Sequence, residues 1–146
     1  MDNTRRLLIS FEPVFHNVDM VRAAVWGICI DYFQLPANAA SIMDFCLIVT
    51  ELMNNTLEHA NAREFHAELL LSDHEAVFRL LYDGDLFDPT AAATPVSQSQ
   101  DTDIPEGGYS LALILALGDG TEYERRENDN MVVLRKTFPA SAELEY

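Results

Sequence analysis

Three polar residues stand at helical spacing inside a run that is otherwise largely apolar: Glu51, Asn55 and His59. Residues four apart on an α-helix are offset by only about 40°, so the three share one face. Asn54 and Glu58 widen that strip. A carboxylate placed there can orient a hydroxyl or a water and take its proton. An amide oxygen one turn away suits Mg²⁺, a hard ion that keeps several waters and bridges to phosphates. Taken alone, the trio also reads as a solvated helix face. The residues downstream give it chemical meaning: Gly84 after a strand-like run, a long polar stretch, then Gly107-Gly108 ahead of a short apolar segment. Glycines let a backbone approach a ligand closely, and a helix N-terminus presents N–H groups to an anion.

The elements that must position these residues are legible from periodicity. Residues 6–12 put Leu7, Ile9 and Phe11 on one parity, which predicts a strand. Val18, Val21, Val25, Ile28 and Phe33 predict a helix over 16–34 that stops near Leu35-Pro36. Asn38 or Ser41 is expected to cap a second helix running to about Ala60. Strands are expected at 64–72 and 76–83, joined by a tight turn at Asp73 to Glu75. Residues 89–104 hold two prolines and only Val96 and Ile104 as large apolar side chains, so they read as a long mobile loop. A short helix at 109–117 and strands near 121–126 and 131–138, with a turn at Asn128-Asp129-Asn130, complete the chain. This order predicts a single domain over 1–146, an α/β (α+β) two-layer sandwich with helices on one face of a mixed, mostly antiparallel sheet.

Composition narrows the partners. With 49% hydrophobic and 23% charged residues in 146, the chain is an ordinary globular mix, which excludes wholesale disorder. Nine Lys plus Arg against 24 Asp plus Glu give a net charge of −15. Lys136 is the sole lysine. Such a surface repels phosphate backbones and anionic lipid, so neither nucleic acid nor a membrane is expected as a partner, whereas a basic protein fits. A nucleotide requires backbone amides, a helix N-terminus or a metal to offset the repulsion. Cys29 and Cys46 sit in apolar helical stretches without zinc or redox spacing and read as buried reduced thiols. No run approaches the ~20 apolar residues of a membrane span. The N-terminal residues lack a signal-peptide pattern, and a cytoplasmic location is expected. His16, His66 and His74 read as surface or strand histidines, Trp26 as core or interface, and Arg125-Arg126 as an exposed strand pair.

The run Glu51-Leu-Met-Asn-Asn55-Thr-Leu-Glu-His59-Ala60 resembles the N box of the Bergerat-fold (GHKL, histidine-kinase-like) ATPases. The nearest subgroup is the anti-sigma-factor serine/threonine kinases, which regulate bacterial sigma factors by partner switching. Tyr82-Asp-Gly84-Asp-Leu-Phe87-Asp88-Pro89 is similar to that subgroup's first glycine box, and Glu106-Gly107-Gly108-Tyr-Ser110-Leu-Ala-Leu-Ile114 to its second. The resemblance covers nearly the whole chain, in order. It implies Glu51 as catalytic base and Asn55 as magnesium ligand. It implies nucleotide contacts at Asn55, His59, Tyr82, Asp83, Gly84, Gly107, Gly108 and Ser110, with residues 85–106 as a lid over the phosphates. ATP and Mg²⁺ are the implied cofactors.

Two positions depart from the family pattern. The first glycine box of the family opens with an Asp that holds the adenine amino group. With the frame fixed on Phe87-Asp88, Tyr82 stands in that slot. Strand parity agrees, because Phe78, Leu80 and Tyr82 form the inward set and Asp83 points the other way. In the second box, Gly-any-Gly appears as Gly108-Tyr109-Ser110. Two functions are compatible with the resemblance. One is an ATP-dependent protein kinase that phosphorylates a STAS-type anti-sigma antagonist and sequesters a sigma factor, as a homodimer. The other is a nucleotide-independent switch module of the same fold. The catalytic domain of a histidine kinase fits less well, since no dimerising helix with a phosphorylated histidine is expected in this length.

Overall fold

The computed structural model describes residues 4–89 and 116–139. Five strands form one sheet: β1 (Arg5–Phe11), β2 (Phe65–Ser72), β3 (Glu75–Tyr82), β4 (Gly120–Arg126) and β5 (Asp129–Thr137). Their order is β1-β2-β3-β5-β4, and all four pairings are antiparallel. Two helices, α1 (Phe15–Phe33) and α2 (Ala40–His59), pack together and onto the sheet. The described residues form the α+β sandwich that the sequence predicts, antiparallel throughout.

Alternation explains the sheet. Phe65, Ala67, Leu69 and Leu71 of β2 face Ala76, Phe78, Leu80 and Tyr82 of β3, all of them buried. Val132 and Leu134 of β5 continue that inner face. Val18, Val21, Val25, Cys29 and Phe33 line the buried stripe of α1. The stripe of α2 is broader, with Ile42, Phe45, Ile48, Val49, Leu52 and Met53 in the core. Each fully buried side chain of this size contributes about 1.5–3 kcal/mol. Phe138 seals the end of the core, stacked on Phe33 at 4.2 Å and edge-on to Phe45 at 5.7 Å.

Both helix ends are set by local chemistry. Gln34 takes a left-handed conformation with φ 54° and ends α1 just before Leu35-Pro36. Neither Asn38 nor Ser41 caps α2: the N-cap is Ala39, with no side-chain cap bond, because Pro36 and Ala39 close a turn of their own. At the far end Asn61, φ 54°, breaks the helix after Ala60.

The final hairpin is tighter than expected. Arg126 pairs with Asp129, so the turn is Glu127-Asn128 rather than 128–130. Glu127 adopts φ 53°, the positive φ that a two-residue hairpin of this hand needs. Burial pushes the Cys29 thiol up to about 12 and the Cys46 thiol up to about 11, as befits two buried reduced thiols. No helix among the described residues is long and apolar enough to cross a membrane.

Candidate functional site

The polar strip of α2 lies on the helix as its spacing dictates. Asn55 is buried at 3% exposure, Glu51 is half-buried and His59 is exposed. The Asn55 Nδ2 atom is buried with no hydrogen-bond partner among the described residues, and so is Asn54 Oδ1. A buried amide without a partner costs about 1–3 kcal/mol, so it marks a place where a ligand would restore that loss. Exchanging the nitrogen and oxygen of an Asn amide changes its shape little, and the same position can present Oδ1 to a cation. Among the described residues no group of three or more His, Cys, Asp or Glu could hold a metal ion. A hard cation at Asn55 would therefore share its shell with water and ligand oxygens.

The turn after β3 is clamped to the end of that helix. Asp85 donates its N–H to the Ala60 carbonyl at 2.7 Å, and Asn61 Nδ2 donates to Asp85 Oδ2 at 2.7 Å. Gly84, at φ +89°, fits between them. The His59 ring lies 5.3 Å from the Phe87 ring, so the last turn of α2 also touches the turn through side chains.

On its other side the turn is held by the closing hairpin, and here sequence reasoning missed the central residue. Asn130 is 1% exposed. Its Nδ2 donates to the carbonyls of Tyr82, Asp83 and Asp85 at 3.2, 3.4 and 3.1 Å. Its Oδ1 accepts from the Phe87 N–H at 3.4 Å and from the Tyr123 hydroxyl. Arg125 is half-buried, not an exposed strand residue, because its Nη1 donates to the Gly84 carbonyl at 3.2 Å. Arg126 is exposed and pairs with Glu124. The signal for Asn130 is its parity: with Val132 and Leu134 it belongs to the inward set of β5, opposite Tyr82.

Tyr82 and Asp83 point to different work. Tyr82 is buried in the inner face, and its hydroxyl donates to the Phe87 carbonyl at 2.7 Å. Desolvation, with the nearby Tyr123 and Asp88, holds that phenol above its ordinary range. Asp83 Oδ1 accepts from the backbone N–H groups of Arg63 at 2.7 Å and Glu64 at 3.3 Å. Desolvation pushes the Asp83 carboxyl up, but these bonds outweigh it and hold it below its ordinary value. The structure thus ties Asp83 to the loop between α2 and β2.

Glu51, Asn55 and His59 lie along α2, and the end of that helix meets the turn after β3 that holds Gly84, through His59 on Phe87, whose carbonyl accepts from the Tyr82 hydroxyl. Gly107, Gly108, Ser110, most of the expected lid and most of the expected helix 109–117 lie outside the described residues. His16, His66 and His74 are exposed; His66 lies between Ser10 and Glu64, at 2.8 and 2.7 Å.

The chain resembles the Acinetobacter baumannii histidine kinase AdeS in structure, at a TM-score of 0.51 and 11% identity over 92% of this chain and 68% of that one. At that identity the likeness concerns the fold. No curated protein matches the chain. The histidine kinase-like ATPase domain family matches residues 17–136, a span that contains α2, the turn after β3 and the closing hairpin. With the matched span covering most of the sequence and the sandwich in place, the chain belongs to the histidine kinase-like ATPase domain family.

Proposed function

We propose that this protein binds ATP with Mg²⁺ along α2 and acts as a serine/threonine protein kinase of the anti-sigma type. The observation that carries this reading is the buried Asn55 amide nitrogen, which has no hydrogen-bond partner among the described residues, one turn from Glu51 and on the helix that anchors the Gly84 turn. Asn55 supplies an oxygen ligand for the cation, and bound ATP supplies the phosphoryl group. Glu51 is half-buried on the same face, able to orient a partner's hydroxyl and take its proton. The substrate fitting the resemblance is a STAS-type anti-sigma antagonist, with a sigma factor as the alternate partner, a homodimer as the working unit and the cytoplasm as the location. The acidic surface suits basic partner segments.

A second reading has its own support. Tyr82 spends its hydroxyl on the Phe87 carbonyl, and Asp83 spends its carboxylate on Arg63 and Glu64, so neither is free to hold the adenine amino group as the family Asp does. This favours a switch module that exchanges partners without nucleotide.

Glu51→Gln separates the two. It keeps the shape and a hydrogen-bonding end but removes the base. Under single turnover with a STAS-type partner, phosphate incorporation should fall ~10²–10⁴-fold while ATP affinity stays within a few-fold. Equal rates for the two proteins would remove Glu51 from the mechanism. No transfer by wild type, despite tight partner binding, would favour the switch module.

A further inference from the structure

The helical layer carries an apolar groove that neither Glu51 nor Asn55 lines. Met43, Leu47 and Thr50 follow one another at i, i+4 and i+7 on α2, and Arg22 and Trp26 at i and i+4 on α1. Together with Asp44 and Cys46 they line a groove of 410 Å³. Trp26, Met43 and Leu47 are 40%, 57% and 39% exposed. Large apolar side chains left open side by side, rather than scattered singly, mark an interaction surface. The indole is held in place: its Nε1 donates to the Ala37 carbonyl at 3.2 Å, in the loop that joins the two helices. A ring fixed in this way loses little freedom when something docks on it. Ala23 and Gly27, also exposed on α1, leave the surface beside the groove low. A Cβ added to Gly27 would meet nothing within 4 Å, so packing inside the chain does not call for a residue that weakens a helix.

The charges of the same two helices select the occupant. Their exposed charged residues are Asp19, Asp31 and Glu58, all acidic, beside the exposed His16 and His59. Arg22, the one arginine on either helix, is half-buried in the groove wall. Asp44 already lies 4.0 Å from the Lys136 ammonium. A second copy of this chain, at a net charge of −15, would bring like carboxylates together over the groove. A helix with an apolar stripe and basic flanks meets both the apolar floor and its acidic surround.

We propose that the groove between α1 and α2 docks a basic amphipathic helix of a partner protein. Its apolar side chains rest on Trp26, Met43 and Leu47, and its Lys and Arg residues face the carboxylates of the helical layer. The docking needs no nucleotide, so it stands whether the protein is a kinase or a switch module.

Trp26 is the sole tryptophan of the protein, so the fluorescence of the full chain reads the groove directly. The probe is a peptide of about 18 leucines and lysines, long enough to hold a helix, with leucine at i, i+3, i+4 and i+7 along one face. Added without nucleotide, it should shift the Trp26 emission to the blue, saturably, as water leaves the indole. A peptide with glutamate in place of lysine, and one of scrambled order, should leave the emission unchanged. The Met43→Ala/Leu47→Ala variant should weaken the apparent affinity at least about tenfold. Leu8→Ala, exposed on the far face of β1 from the core-packed Leu7 and Ile9, should not. Leu47→Ala alone, weakened in the same direction, keeps the test valid should the double variant fail to fold. No shift with the leucine–lysine peptide, an equal shift with the scrambled or acidic one, or wild-type affinity in the groove variants would overturn the proposal. A blue shift that grows with protein concentration in the absence of peptide would also overturn it, since a second copy would then fill the groove.

Discussion

Gly84 rests on the carbonyl that ends α2: a Cβ added to Gly84 would come within 2.3 Å of the Ala60 oxygen and 2.9 Å of the Asn61 carbonyl. The obstructing atoms are backbone, fixed by the Asp85 to Ala60 hydrogen bond, so they cannot move aside cheaply. The glycine in this box therefore has a structural reason independent of any ligand. It lets the turn after β3 lie against the helix that carries Glu51 and Asn55.

Gly84→Ala should destabilise the protein by about 2–4 kcal/mol, combining the left-handed φ with overpacking. Urea denaturation would show a lower midpoint at an unchanged slope. A midpoint equal to that of wild type would mean that the turn does not sit on α2 in solution.

Asn130→Ala should cost about 2–3 kcal/mol, because three carbonyls lose a donor and the Phe87 N–H and the Tyr123 hydroxyl lose an acceptor. Amide exchange should speed up selectively at Asp85 and Phe87. Unchanged exchange there would show that the hairpin does not hold the turn.

Asp83 makes a pH prediction. Its carboxyl is held below the ordinary value of 3.8, so its contribution to stability is present above that value and is lost as pH falls through the lower folded one. The carboxylate is half-exposed and solvent screening keeps the effect small. In Asp83→Asn, acid unfolding below about pH 4 should be shallower than in wild type, on the linkage of charge to stability. Superimposable acid limbs would remove the Arg63 and Glu64 contacts as a stabilising feature.

Periodicity carries the fold a long way. Strand and helix positions are set by alternation at Leu7, Ile9 and Phe11 and by the spacing of Val18, Val21 and Val25, because burial on one face decides those elements locally. The start of α2 is harder to read, since Asn38 and Ser41 are good caps in isolation, while the turn from Pro36 to Ala39 decides where the helix opens. Asn130 and Arg125 look like turn and surface residues in the sequence because their partners, the carbonyls of 82–85, are more than forty positions away. Such contacts exist only once β3 and β5 are paired in register. Of the candidate site, the strip on α2 is legible from spacing alone, whereas the commitment of Asp83 to the loop after α2 needs the tertiary arrangement.

Nucleotide binding at Asn55 is most directly measured by calorimetric titration of the full chain with Mg-ATP, in wild type and Asn55→Ala. Wild type should bind, and binding should weaken when Mg²⁺ is withheld. Asn55→Ala should lose at least about tenfold in affinity, about 1.4 kcal/mol, while its unfolding shows no loss of the fold. Absence of any heat of binding by wild type at millimolar Mg-ATP, or equal affinities of the two proteins, would contradict a nucleotide site on α2.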